Sequence, residues 1–350
     1  MDPLLIFAQL VLSALGVLGV ATSEPSAWPI QALRALVGIA IVMVVARIPP
    51  KAVVKLSPYA YLLVLALLGA VLVIGTAPEG SESRRWILIG NFSLQPSELM
   101  KVTVVAYLTA FFYNHLGNWQ LWRPMLVIGL AAGMIVAQPD ISTALFIFLL
   151  AIAIMLAAGT TLTRLFSIGV TSVLIAVLIA GPYLSQYSYL GERLSGFVDL
   201  MGPQEHTQTL GYQAAQAQRT LVRSGLFGVG AGIPMSVPEA DTDMIAVSVA
   251  HALGLSGVAV LFTLFLLIAG RGIRIAASLR GPGALLAAGA TTYICAQAAV
   301  NLLVSGGLIP VTGIPLPFVS FGLNSLISVS IAMGFIHSAY RQARLEGAEV

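Results

Sequence analysis

The chain has 350 residues, of which 58% are hydrophobic and only 9% charged, with a formal net charge of +3. A soluble globular domain carries about 25% charged residues, so most of this chain must face lipid rather than water. The net charge is too small and too dispersed for nucleic-acid binding, and the single cysteine, Cys295, excludes a disulfide framework.

A membrane-spanning helix needs about 20 mostly apolar residues. The first such run, near Leu4–Ala21, starts behind the acidic Asp2 with no basic leader or cleavage site, and so reads as a retained helix. Runs near Ile30–Val45, Tyr59–Thr76, Pro96–Tyr113 and Pro124–Ala137 follow. Gln138-Pro139-Asp140 separates the fifth run from a sixth near Ile141–Ala158, because proline breaks a helix. Further runs lie near Leu165–Leu184, Asp243–Gly270, Gly283–Ser305 and Phe321–Tyr340. The expectation is an all-α integral membrane protein, one polytopic domain over residues 1–350. About ten transmembrane helices would carry one large extracytoplasmic loop, about 185–242, between helices seven and eight.

Ten of the 17 Lys and Arg residues, among them Arg47, Lys51, Arg271 and Arg341, fall in connections on the side of the two termini. The positive-inside rule then places both termini in the cytoplasm and the long loop outside. Most acidic residues fall on the outer side, a skew that insertion does not explain. It fits either a solvated outer surface or an outward-facing polar site.

Three spans that run from outside to inside start with a polar signature: Gln95-Pro96-Ser97-Glu98-Leu99-Met100-Lys101, Gln138-Pro139-Asp140, and Pro238-Glu239-Ala240-Asp241-Thr242-Asp243. Ser97, Asp140, Asp241 and Thr242 suit helix N-caps, and capping alone would explain any one of the carboxylates. Glu98 and Lys101, three apart, share a helix face one turn into the membrane. Ionisable groups there are costly and mark functional sites, unless the pair merely neutralises itself. If the three starts converge, their positive dipole ends open a cavity suited to a pyrophosphate. Arg84, Arg85, Arg193, Arg219 and Arg223 lie on that side and could add donors. For Arg219 and Arg223 a helix face at the lipid headgroups is an equal reading. The glycine run 225–232 follows no strand and lacks Gly-Lys-Ser/Thr, so it reads as a compact turn rather than a nucleotide loop. Arg34, inside the second span, either snorkels or pairs internally. The four histidines show no metal-site spacing.

These segments, in order, resemble the SEDS family (shape, elongation, division and sporulation). The likeness rests on Arg85-Trp86, Gln95 to Lys101, Gln138-Pro139-Asp140, Gly211-Tyr212-Gln213, the 225–230 turn, and Pro238-Glu239 leading to Thr242-Asp243. It ends on the specific run Gly313-Ile314-Pro315-Leu316-Pro317-Phe318-Val319-Ser320-Phe321-Gly322. The resemblance implies a ten-helix peptidoglycan glycosyltransferase of the inner (cytoplasmic) membrane, acting in cell elongation and shape maintenance. It would polymerise lipid II on the outer face and release undecaprenyl pyrophosphate. It implies Asp243 as the essential acidic residue; beside it, the polar helix starts and outer-side cations give Glu98, Lys101, Arg85, Asp140, Arg193, Glu239 and Thr242 as the expected substrate-binding positions. The implied partner is a class B penicillin-binding protein docking partly on the eighth and ninth spans.

The chain departs from the family pattern at His251-Ala252, where a Glu-Glu pair is usual, at Asp241, where a His is common, and at Leu323-Asn324, where Gly-Ser is common. Two nearby aspartates therefore compete for one role, and Asp243 holds the motif position. The implied donor linkage is α and the product β, so one inverting displacement suffices, with one carboxylate as base and a basic clamp on the pyrophosphate. The sequence names no particular cofactor, and a divalent cation on the pyrophosphate stays open. The rival readings are a lipid II flippase or transporter and a non-enzymatic scaffold for cell-wall enzymes. The first would need ionisable groups near mid-membrane.

Overall fold

The structure is a computed structural model and describes residues 1–77, 84–90, 92–115, 120–170, 210–233 and 235–348. Its elements are α1 (Pro3–Ser23), α2 (Trp28–Val45), α3 (Pro50–Ile74), β1 (Ile87–Ile89), β2 (Phe92–Leu94), α4 (Pro96–Asn114), α5 (Trp122–Val136), α6 (Ile141–Ala157), α7 (Leu210–Ser224), α8 (Ile245–Ala277), α9 (Pro282–Ser305) and α10 (Leu323–Leu345). Residues 162–170 are also helical. Among the described residues six helices are long and apolar enough to cross a membrane, and α5 and α6 are shorter apolar helices. The rest of the expected Leu165–Leu184 span and the first part of the long loop lie outside the described residues.

The helical expectation omits one feature: β1 and β2 form a small antiparallel hairpin pairing Ile87 with Leu94 and Ile89 with Phe92, directly ahead of α4. The third span is longer than its hydropathy suggested. It starts at Pro50 and carries Pro58 in its interior, so the lysines that masked its first turns are helical. The fifth and sixth spans divide as expected, since α5 ends at Val136 and α6 begins at Ile141.

Helix α4 sits at the centre of the bundle, packed against α3, α5, α6, α9 and α10. Both charged side chains of its first turns are buried. By contrast α2 buries only Gln31, Gly38 and Val42. A helix facing lipid must be apolar outside, whereas one enclosed by helices can carry polar groups if they find partners. At the end of the bundle that holds the termini, Asp2 caps α1 by accepting from Leu4 N at 2.9 Å and Leu5 N at 3.1 Å, and it receives Arg271 Nε at 3.0 Å.

Helix α8 has 33 residues, about 50 Å at 1.5 Å per residue, against a hydrocarbon core of about 30 Å. Gly254, with φ 71°, breaks it. The glycine turn at 225–230 fills the break. Leu255 N donates to Gly225 O at 2.9 Å, Ser256 N to Leu226 O at 3.1 Å, and Val229 N to His251 O at 2.8 Å. The backbone groups orphaned by the break thus gain partners, as a non-polar surrounding demands. The approach needs glycine on both sides: a Cβ on Gly254 would stand 2.4 Å from Gly228 N, and one on Gly228 2.5 Å from Ala252 O.

Candidate active site

Helix α4 begins with Gln95 at the N-cap and Pro96 in its first turn, without a side-chain cap. The expected cap, Ser97, is inside the helix, and its hydroxyl has no hydrogen-bond partner among the described residues. One turn on, Lys101 Nζ lies 2.7 Å from Glu98 Oε1 and donates to Gln297 Oε1 at 3.0 Å. Lys101 is fully buried and Glu98 is 4% exposed. Two charges here persist because each neutralises the other and a third polar group completes the geometry. Ser328 Oγ donates to Glu98 O at 2.7 Å, and Tyr293 OH to Ser328 Oγ at 2.9 Å, fixing α4 against α9 and α10.

The residues 313–322 between α9 and α10 enter the bundle instead of passing over it. A Cβ on Gly16, two-thirds along α1, would stand 2.6 Å from Val319 O, so only glycine lets this segment so close. Its backbone carbonyls are collected by side chains from distant elements. Gln31 Nε2 donates to Val319 O at 3.1 Å, and Gln297 Nε2 to Pro315 O at 2.9 Å. Arg34 Nη1 donates to Phe321 O at 3.3 Å and its guanidinium covers the Phe321 ring at 3.8 Å, so Arg34 pairs internally.

Asp243 lies on the connection that leads into α8, and this segment clasps the connection. Ser320 Oγ donates to Thr242 O at 2.7 Å, and Phe321 N to Asp241 O at 2.8 Å. Asn301 Nδ2 donates both to Asp243 O and to Ile314 O, each at 2.9 Å. Asp243 Oδ2 lies 3.6 Å from where a Cβ on Gly313 would stand, so the carboxylate faces the glycine wall of the re-entrant segment. Helix α8 starts later than expected, at Ile245, with Met244 at an N-cap that has no side-chain bond. Asp241 and Thr242 are therefore not its caps. Thr242 Oγ1 instead donates to Glu239 Oε2 at 2.8 Å. Partial burial pushes the Asp241 carboxyl above its usual range, and Glu239 and Glu24 add to this, while its own backbone N–H and Arg34 oppose it.

Asp140 caps α6, accepting from Thr143 N at 3.2 Å. Arg85 Nη1 lies 3.7 Å from Asp140 Oδ1. Arg85 Nε donates to Gln138 O at 3.3 Å and Nη2 to Pro139 O. Arg85 thus staples the hairpin to the α5–α6 corner. Arg193 lies outside the described residues. His251, at the position where the resemblance leads one to expect a glutamate, places Nε2 3.2 Å from Ile233 O, in the stretch that follows the turn filling the α8 break.

Of the residues singled out in the sequence, Glu98 with Lys101, Arg85 with Asp140, and Glu239 with Thr242 form three pairs. Sequence reasoning missed Gln31, Gln297 and Asn301, which with Ser320 tie Lys101 and the connection before α8 to the 313–322 segment, while the Arg85–Asp140 pair is held at the α5–α6 corner. Their signal was present: Gln297 and Asn301 are amides one turn apart inside an apolar span, where an unpartnered amide is costly. Among the described residues no three His, Cys, Asp or Glu side chains gather as a metal site would need.

The family model for FtsW, RodA and SpoVE, described as cell cycle protein, matches residues 4–345. The probable peptidoglycan glycosyltransferase FtsW of Coxiella burnetii (strain RSA 493 / Nine Mile phase I) is 34% identical over 362 residues, covering 96% of this chain and 95% of the relative. The peptidoglycan glycosyltransferase MrdB of Escherichia coli (strain K12) is 29% identical over 357 residues, covering 99% and 95%. A solved structure, from work described as structural coordination of polymerization and crosslinking by a peptidoglycan synthase complex, matches with a TM-score of 0.80 at 24% identity over 98% of both chains. At that identity the likeness speaks for the fold. The family match over nearly the whole chain, with a relative at 34% identity, establishes that this multi-pass membrane protein belongs to the SEDS family of FtsW, RodA and SpoVE.

Proposed function

We propose that the protein is a peptidoglycan glycosyltransferase that polymerises lipid II on the outer face of the inner membrane. The observation that carries the reading is the joining of Asp243 and the Glu98–Lys101 pair to one buried polar frame. Gln297 and Asn301, one turn apart on α9, hold Lys101 and the Asp243 backbone respectively. The family membership and the relatives named as glycosyltransferases support the reaction class.

In the proposed reaction the 4-hydroxyl of one disaccharide attacks the anomeric carbon of another, and the C–O bond to the lipid pyrophosphate breaks with inversion. Asp243 takes the hydroxyl proton, which contributes about 10²–10⁴-fold. The leaving group, undecaprenyl pyrophosphate, departs as an anion and needs positive charge rather than a proton. Arg85 and Lys101 supply that charge, with Glu98, Asp140, Arg193, Glu239 and Thr242 as further substrate contacts. Two of the three N–H donors of Lys101 face Glu98 and Gln297, which leaves one for a phosphate oxygen.

The finer parts of the proposal are a single polytopic domain of about ten spans, both termini cytoplasmic, and a class B penicillin-binding protein docked partly on α8 and α9. The cellular role proposed is elongation and shape maintenance. Depletion tests it, because rounding of cells supports elongation and filamentation overturns it. The chemical test is polymer formation from lipid II by purified protein with its partner. Asp243→Asn is expected to lose at least about 100-fold in rate while folding and inserting normally. Near-normal glycan strands from that variant overturn the assignment.

A further inference from the structure

We propose that Asn301 is a positioning residue for the Asp243 carboxylate, setting its place against the Gly313–Pro315 wall. The proposal rests on Asp243 as the base. Asn301 is fully buried, one turn before the end of α9. Both N–H groups of its amide are spent on backbone carbonyls from two separate connections: Asp243 O and Ile314 O, each at 2.9 Å. Its Oδ1 has no hydrogen-bond partner among the described residues. Both hydrogen bonds of this side chain are therefore donations, and the amide serves as a two-pronged spacer rather than as a general polar filler.

The geometry makes the spacer consequential. Ile314 follows Gly313, the residue whose Cβ direction points at Asp243 Oδ2 from 3.6 Å. A single rigid amide thus fixes the carbonyl of the base residue relative to the wall its carboxylate faces. One turn earlier, Gln297 ties the next carbonyl of the same wall, Pro315 O, and Ser325 Oγ to Lys101. Asn301 therefore sets the base and Gln297 sets the cation, from one face of one helix.

A displacement of about 1 Å at a reacting group costs on the order of 100-fold in rate. In a lipid II polymerisation assay with the full chain and its partner, Asn301→Ala is expected to lower kcat 10- to 100-fold with KM changed less than threefold. Asn301→Ser, which keeps a hydroxyl donor, is expected to fall between Asn301→Ala and wild type, and it carries the test if Asn301→Ala does not fold. The double variant Asp243→Asn/Asn301→Ala is expected to be no slower than Asp243→Asn, because Asn301 acts through Asp243. Wild-type kcat in Asn301→Ala, a rise in KM alone, or an independent further loss in the double variant overturns the positioning role. An active Asp243→Asn enzyme instead removes the base assignment on which the proposal rests, so the two failures are distinguishable.

Discussion

Lys101→Met is the sharpest test of the buried polar frame. The substitution keeps the length of the side chain and removes the ammonium. Glu98 Oε1 then loses a partner at 2.7 Å, while Glu98 Oε2 has no hydrogen-bond partner among the described residues. Breaking a buried pair by deleting one member costs about 3–5 kcal/mol. The Gln297 oxygen, left without its donor, adds roughly 1–3 kcal/mol. Adding Glu98→Gln removes the stranded charge and should recover most of the loss, since replacing a whole buried pair is often neutral. At roughly 2–4 °C per kcal/mol for a domain of 150–250 residues, the single variant should melt on the order of 10 °C lower and the double variant only a few degrees lower. The assay is thermal denaturation of the purified full chain in detergent. A single variant as stable as wild type, or a double variant no better than the single, would refute the reasoning. Polymerisation by the folded double variant then separates the two roles of Lys101, because wild-type rates would mean that its charge is not used on the pyrophosphate.

Gly254→Ala and Gly228→Ala should each strongly reduce the yield of folded protein, because the new Cβ would stand 2.4–2.6 Å from backbone atoms on the opposite side of the contact between the helix break and the glycine turn. Gly232→Ala, in the same stretch but with open space around it, should cost only about 1–2 kcal/mol for its left-handed backbone; size-exclusion profiles after expression rank the three. Asp241→Asn should stabilise the protein at neutral pH. The folded carboxyl is raised above the usual 3.8, so the folded state binds more protons than the unfolded one and wild-type stability falls as pH rises through that window. The advantage of the variant should shrink as pH falls toward the ordinary aspartate range, and melting curves against pH that show the opposite trend would reverse the sign.

The hydropathy of the chain determined that it is a helical membrane protein and where most helices run, because lipid tolerates only segments that bond their own backbone. It also marked Glu98, Lys101 and Asp140 as charges that need an account. It could not find the limits of α3, whose first turns carry lysines, nor the break at Gly254, whose partners lie some thirty residues earlier in the glycine turn. The run 313–322 was legible as a motif but not as a segment that enters the bundle, because its carbonyls are held by Gln31, 288 residues away, and by Arg34, 287 residues away. In the same way only the tertiary structure decided that Arg85 meets Asp140, and that Asn301 meets Asp243 across 58 positions. The physical reason is range. Burial of apolar surface is read residue by residue along a chain, whereas a buried amide or charge is stable only with a particular partner, and which partner it meets is settled when the helices pack.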